Sequence, residues 1–191
     1  MKNIGLFFGS FNPIHIGHLI IANTMVEYAS LDQVWFVVSP QNPFKKSASL
    51  LPEFDRLDLV NAAIFENFNL KAVDVEFRMP KPSYTIDTLT YLSAAHKDKK
   101  FKLIIGEDNL KSFRKWKNSD KILEFYELLV YPRPHAQPSD LKTHPNVQLI
   151  EAPMMDISAT FIRKSIQSHK SIKYLVPESV EQLIIGRKLY L

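Results

Sequence analysis

Near the start of the chain lies the sequence Gly9-Ser10-Phe11-Asn12-Pro13-Ile14-His15-Ile16-Gly17-His18. It follows an apolar run, residues 4–8, that is typical of a buried strand, and it precedes another, residues 19–26, that is typical of a helix packed on a sheet. Glycines admit a ligand close to the backbone, and the free N–H groups of a helix start attract anions. We therefore expect a phosphate-binding pocket at this junction.

Two histidines, His15 and His18, stand at the predicted helix start. Their spacing of three places the side chains at neighbouring points on one side of a helix. Imidazoles there can donate hydrogen bonds to phosphate oxygens. Two alternatives remain open at this point. One is metal ligation, although no Asp or Glu accompanies the pair as a zinc helix motif requires. The other is a purely structural role, because strand–glycine–helix junctions are common.

The composition of the 191 residues is that of an ordinary globular protein, with 46% hydrophobic and 23% charged residues. We expect one domain over residues 1–191. Since the chain has no cysteine, disulfide and thiol chemistry are excluded. No stretch approaches a membrane span and the first residues lack a signal-peptide pattern, so we expect a cytoplasmic protein with no membrane partner. The net charge of +4 is compatible with nucleic acid or with small polyanions. We expect no nucleic-acid partner.

Apolar runs of strand and helix type alternate along the chain, which predicts an α/β fold with a parallel sheet. The predicted strands are residues 4–8, 33–39, 70–75, 101–105, 127–131 and 147–150, and the main later helices are residues 52–67, 85–96, 158–167 and 177–186. In the helix of residues 52–67, Phe54, Leu57, Val60, Ala63 and Ile64 recur at helical spacing and are predicted to face the core. Ligands bind beyond the carboxyl ends of such strands, where residues 9–18, 40–46 and 106–116 are expected to meet.

A second candidate motif is Ile157-Ser158-Ala159-Thr160-Phe161-Ile162-Arg163. Two hydroxyls begin a predicted helix and an arginine follows within its first turns. Hydroxyls and N–H groups at a helix start bind phosphate, and arginine adds a planar fork of donors. The alternative is a plain N-cap at Ser158 with an arginine that faces solvent.

The first motif, Gly-x-Phe-x-Pro-x-His-x-Gly-His, and the second, Ile-Ser-x-Thr-x-x-Arg, resemble the two signatures of the nucleotidylyltransferase superfamily. Three further segments are similar to those of bacterial nicotinate mononucleotide adenylyltransferases: a Pro-x-x-Pro-x-Lys loop at residues 40–45, a Gly-x-Asp-x-Leu segment at 106–110 with Phe113 and Trp116 after it, and residues 83–89. The resemblance spans residues 9–163. It departs from the family at His135, which stands where the family's Arg-Pro-Gly has glycine.

The resemblance implies a Rossmann-like open parallel sheet with helices on both faces. It implies the transfer of adenylyl from ATP to nicotinate mononucleotide, with Mg²⁺ accompanying ATP. The implied catalytic residues are His15, His18 and Arg163. The implied ATP-binding residues are Gly9, Ser10, Phe11, His15, His18, Gly106, Asp108, Ser158, Thr160 and Arg163. The implied mononucleotide-binding residues are Lys45, Tyr84, Thr85, Asp108 and Trp116, the last by stacking on the pyridine ring.

Other functions stay open from the residues alone. A different transferase of the superfamily would use nicotinamide mononucleotide or pantetheine phosphate as acceptor, or a CTP substrate. A tRNA-charging enzyme is suggested by the literal His-Ile-Gly-His, but the chain is short for anticodon recognition and has no Lys-Met-Ser-Lys-Ser segment. A nucleotide sensor would keep the binding motifs without turnover. The sequence is compatible with a homo-oligomer and does not distinguish the acid from the amide mononucleotide.

Overall fold

The structure is a computed structural model that describes residues 1–40 and 50–191. In these residues the strands are β1 (Lys2–Gly9), β2 (Gln33–Val38), β3 (Leu70–Val73), β4 (Lys99–Gly106), β5 (Glu127–Tyr131) and β6 (Val147–Leu149). The helices are α1 (Ile16–Tyr28), α2 (Glu53–Ile64), α3 (Thr85–Ala95), α4 (Glu107–Leu110), α5 (Ser119–Phe125), α6 (Ala159–Gln167) and α7 (Glu178–Gly186). Short 3₁₀ turns lie at Val75–Arg78, Phe113–Lys115 and Asp140–Thr143.

The strands form one parallel sheet in the order β3-β2-β1-β4-β5-β6. The chain therefore works outward from β1 to one edge, returns to β4 beside β1, and works outward to the other edge. Ligands bind at this reversal in open α/β sheets, beyond the carboxyl ends of the central strands. Here those ends are Gly9 of β1 and Gly106 of β4.

Two hydrophobic clusters cover the two faces of the sheet. Helices α1, α2, α6 and α7 pack on one face, and α3, α4 and α5 pack on the other. Successive residues of β2 alternate between the clusters, with Phe36 in the first and Val37 in the second. Because both faces are covered, the central strands are continuous apolar runs, as buried parallel strands are. The predicted fold class is confirmed.

The predicted helix over residues 52–67 is present as α2, but one of its predicted core residues is wrong. Phe54 is 64% exposed, and its ring packs edge-on against that of Phe77, with centroids 5.2 Å apart. Val60 and Ile64 are buried as predicted. The fully buried side chain on the first turns of α2 is instead a charged one, Arg56.

The Arg56 guanidinium donates four hydrogen bonds to backbone carbonyls of the described residues. Nε donates to Leu51 (2.9 Å), Nη1 to Ser10 (2.6 Å) and Ser39 (2.7 Å), and Nη2 to Pro40 (3.0 Å). These four hydrogen bonds offset the cost of burying the cation. They also tie the residue after β1 to the two residues after β2, so Arg56 holds together the backbone that leaves the carboxyl ends of adjacent strands.

In the described part of the chain, no helix combines the length and the apolar character needed to cross a bilayer.

Candidate active site

Two adjoining cavities open at the carboxyl edge of the sheet, where the chain reverses between β1 and β4. The larger has a volume of about 590 Å³ and the smaller about 170 Å³. They share part of their walls, made by the end of β1, the start of α4 and the end of β5. The shared residues are Phe7, Phe8, Gly9, Asn109 and Tyr131. Molecules bound in the two cavities would therefore meet at this common wall.

The two histidines lie side by side in the larger cavity. His15 is the N-cap residue of α1, and its ring stacks on that of His18 with centroids 3.7 Å apart. The His15 backbone N–H donates to Nδ1 of His18 at 3.2 Å. A nitrogen that accepts a hydrogen bond carries no proton, so the neutral His18 ring has its proton on Nε2. His18 thus offers an Nε2–H donor to a ligand.

Burial keeps both rings neutral at pH 7. It lowers the pKa of His15 from 6.5 to about 4, with the positive charge of Arg133 acting in the same direction. The pKa of His18 is lowered well below its usual value, first by burial and then by His15 and Arg133. Nδ1 of His15 is buried and meets no hydrogen-bond partner within the described residues. An anion in the cavity would raise both pKa values.

The loop that carries the histidines is held by aromatic packing. Phe11 has a left-handed backbone with φ of 44°, which is uncommon for a bulky side chain. Its ring is buried and lies 5.1 Å from the His18 ring and 5.3 Å from that of Phe36. Gly17 leaves room for the His15 ring, because a Cβ at position 17 would lie only 3.1 Å from Nδ1 of His15. The orientation of the histidines is therefore set before any ligand binds.

The second motif reaches the same cavity from the other end of the chain. Ser158 is the predicted N-cap of α6, and its Oγ accepts from the Phe161 N–H at 3.2 Å. Arg163 does not simply face solvent: Nη1 donates to the Asn12 carbonyl at 2.8 Å, and Nη2 to Thr160 Oγ1 at 3.3 Å. A residue of the first motif and one of the second are thus joined by a hydrogen bond across 151 positions of sequence.

The smaller cavity is lined by the aromatic side chain of Trp116 and by the start of helix α3. Trp116 is half-buried and lies 5.1 Å from Phe113, ring to ring. Tyr84 is the N-cap residue of α3, and Thr85 is the first residue of that helix. Lys117 Nζ lies 4.7 Å above the Tyr84 ring and 2.8 Å from the carboxylate of Asp87. A flat ring with a negative substituent matches these features, since an aromatic face can stack on it and amides at a helix start attract anions.

The structure brings most of the predicted site residues to these two cavities. Those on the wall of the larger are Gly9, Ser10, Phe11, His15, His18, Asp108, Ser158, Thr160 and Arg163. Those on the wall of the smaller are Gly9, Tyr84, Thr85, Gly106 and Trp116. Lys45, predicted to contact substrate, lies outside the described residues.

Gly106 and Asp108, which are close in sequence, border different cavities. Gly106 borders the smaller cavity, and Asp108 borders the larger. The physical reason is that β4 ends at Gly106 beside the shared wall, and the chain turns into α4 before Asp108. A Cβ at position 106 would lie 2.4 Å from Asp108 Oδ1, so a larger residue there would displace the Asp108 carboxylate.

Sequence reasoning missed Arg133 on the wall of the larger cavity. Its Nε lies 3.9 Å from Asp108 Oδ1, and its charge lowers the pKa of both histidines. Tyr131 of the shared wall was missed as well; burial raises the pKa of its phenol to about 12. The position of strand β5 could have indicated both residues. Tyr131 ends this strand and Arg133 follows it closely, so both lie at the edge of the sheet where the other strands end.

Comparison with known proteins is consistent with this geometry. The family model described as cytidylyltransferase-like matches residues 6–165. A relative from Cytophaga hutchinsonii is 60% identical over 98% of this chain and 97% of its own length, and one from Flavobacterium johnsoniae is 48% identical over 98% of each. Both carry the name probable nicotinate-nucleotide adenylyltransferase.

Among solved structures, the chain is similar to the Plasmodium falciparum nicotinic acid mononucleotide adenylyltransferase complexed with NaAD. The TM-score is 0.84, with 100% of this chain and 98% of the other covered. At 22% sequence identity the likeness is one of fold.

Proposed function

We propose that this chain, which belongs to the cytidylyltransferase-like family, transfers the adenylyl group of ATP to nicotinate mononucleotide. The products are nicotinate adenine dinucleotide and pyrophosphate, a step of NAD biosynthesis. The names of the relatives at 48–60% identity support this reaction. The observation that carries it is the pair of cavities with a common wall, one with donors from both ends of the chain and one with an aromatic side.

ATP would occupy the larger cavity. His18 Nε2–H and the His15 ring would face the phosphates, with His18 at the α-phosphate. Ser158, Thr160 and Arg163 would hold the β- and γ-phosphates at the start of α6. The support is that these side chains line one cavity and that Arg163 is already fixed by Asn12 O and Thr160 Oγ1.

Nicotinate mononucleotide would occupy the smaller cavity. Its pyridine ring would lie against Trp116, and its carboxylate would meet the first amides of α3. The first backbone amides of α3 that donate a hydrogen bond within the helix are those of Asp87 and Thr88, and both donate to the carbonyl oxygen of Tyr84. The amides of Thr85 and Ile86 have no acceptor within the helix, as at any helix start, and a carboxylate satisfies them better than an amide group does.

The chemistry asks little of the protein beyond position and charge. The attacking 5′-phosphate is already an anion at neutral pH, so no general base and no covalent nucleophile is needed. The neutral imidazoles donate hydrogen bonds to the phosphate oxygens and take up positive charge more readily as negative charge builds there. Attack in line with the leaving pyrophosphate would invert the configuration at the α-phosphorus.

Mg²⁺ would enter with ATP. Within residues 1–40 and 50–191 no three His, Asp or Glu side chains stand close enough to form a protein-only metal site. Asp108, whose carboxylate borders the larger cavity, is the side chain placed to meet a phosphate-bound ion. When bound, the ion would neutralise negative charge on the phosphates of ATP.

The test is an acceptor panel. Purified protein is given ATP with nicotinate mononucleotide, nicotinamide mononucleotide or pantetheine phosphate, and CTP in place of ATP. Pyrophosphate release and the product mass are recorded. We expect the highest kcat/KM for nicotinate mononucleotide with ATP. The His18→Ala variant, prepared in parallel, controls for a contaminating host enzyme. A higher kcat/KM for any other pair would contradict the proposal.

A further inference from the structure

The carboxylate of Glu76 is buried beside the smaller cavity and takes no part in the chemistry above. Glu76 lies in the 3₁₀ turn after β3 and is 2% exposed. Its Oε2 accepts from Ser83 Oγ at 2.8 Å, and its Oε1 accepts from Thr88 Oγ1 at 2.8 Å. Both donors are buried too. Burying a carboxylate is costly, and here two short hydrogen bonds offset the cost.

These two hydrogen bonds bracket the start of α3. Ser83 is the residue before the N-cap and Thr88 lies at the end of the first turn, so Tyr84 and Thr85 lie between the two anchored positions. Ser83, Tyr84 and Thr85 all line the smaller cavity, as Glu76 does. The carboxylate thus connects the 3₁₀ turn that follows β3 to the start of α3, where Tyr84 and Thr85 border that cavity.

We infer that Glu76 is a positioning residue for the mononucleotide. By holding Ser83 and Thr88, it keeps the first amides of α3 and the Tyr84 ring at the distance from Trp116 that the pyridine ring requires. It acts through the helix start and does not touch the reacting atoms. The inference rests on the proposed function, which assigns the smaller cavity to the mononucleotide.

The decisive kinetic test compares Glu76→Ala with Glu76→Gln. The alanine variant loses both anchors, and we expect the KM for nicotinate mononucleotide to rise about tenfold or more while the KM for ATP stays within about twofold. Glutamine keeps the shape, and its amide can accept from one hydroxyl and donate to the other, so most of the wild-type KM should return. The variants Ser83→Ala and Thr88→Val should each reproduce part of the rise and add little to Glu76→Ala.

A matched control separates positioning from loss of stability. Val180→Ala opens a cavity at a fully buried position of α7, away from both cavities, and should lower the melting temperature without changing either KM. Equal rises of both KM values in Glu76→Ala, or an unchanged KM for the mononucleotide, would overturn the inference.

A substrate-free measurement keeps the inference testable if the proposed function fails. Hydrogen–deuterium exchange, read by mass spectrometry, should be faster in Glu76→Ala over residues 83–89 and unchanged over α1. If wild-type protein does not turn over the mononucleotide, the proposed function is wrong, and this exchange result still decides whether Glu76 anchors the helix start. Unchanged exchange over residues 83–89 would refute the anchoring role.

Discussion

The neutral, buried state of His15 predicts a specific loss of stability in acid. Its pKa falls from 6.5 to about 4 in the folded protein. Because the folded pKa is the lower one, the unfolded chain binds the extra proton between these values, and stability falls as the pH drops below 6.5 until about pH 4. At about 1.4 kcal/mol per pKa unit, the full difference is about 3 kcal/mol, of which about 2 kcal/mol is lost between pH 7 and pH 5.

The perturbation is His15→Gln, which removes the titrating ring and keeps a polar side chain. Urea unfolding of wild type and variant is followed at pH 7, 6 and 5, and the free energy of unfolding is extrapolated to water. Titrating groups other than His18, whose pKa depends on His15, are shared, so their effects cancel in the difference between the proteins. The wild type should lose about 2 kcal/mol more than the variant between pH 7 and pH 5. Equal losses would refute the conclusion that His15 is buried and neutral.

Three other substitutions test separate parts of the site. If His18 is the proposed donor at the α-phosphate, His18→Ala should lower kcat by about two to four orders of magnitude, measured by pyrophosphate release; a kcat near that of wild type would contradict its role. Trp116→Ala should raise the KM for nicotinate mononucleotide about tenfold and leave that for ATP unchanged, with Trp116→Phe closer to wild type because a ring remains. Arg56→Met leaves four carbonyls without their donor and should cost about 3 kcal/mol or more in urea unfolding, whereas the exposed control Arg114→Met should cost far less; similar costs would argue against the buried clamp.

The sheet could be predicted from the sequence because its strands are buried on both faces. Each central strand then appears as a short continuous apolar run, and residues 127–131 were predicted with the bounds that the structure has. Helix α3 was predicted over residues 85–96 and is observed over Thr85–Ala95; Ile86, Leu89 and Leu92 recur at helical spacing and are all buried. These signals are local, and the packing of the sheet reinforces them.

Helix α2 shows where a local pattern fails. Periodicity placed Phe54 in the core and gave no reason to bury Arg56. The burial of Arg56 depends on carbonyls from the chain after β1 and after β2, which come together only in the folded sheet. A pattern of apolar residues carries no information about such acceptors, so an arginine is assigned to the surface by default.

The same distinction separates the site residues that were predicted from those that were missed. Both motifs stand at helix starts, where a capping residue and its neighbours have a recognisable order. Arg133 follows a strand and belongs to no recognisable sequence pattern. The role of Glu76 depends on its hydrogen bonds to Ser83 and Thr88, which form only in the folded protein. The hydrogen bond from Arg163 to Asn12 O forms because α6, which follows β6, packs on the same face of the sheet as α1.

The arrangement of charge in the larger cavity explains why neutral histidines suit this reaction. The permanent cations, Arg133 and Arg163, lie on the wall, and the same burial and charge that lower the histidine pKa values keep the rings uncharged until a polyanion arrives. Bound phosphates would reverse that bias, and they would do so most strongly when charge accumulates during attack on the α-phosphorus. The proton affinity of such an imidazole rises as negative charge develops. The imidazole therefore stabilises the transition state more strongly than it stabilises the bound substrate. A permanently charged residue at the same place would bind both states and release pyrophosphate more slowly.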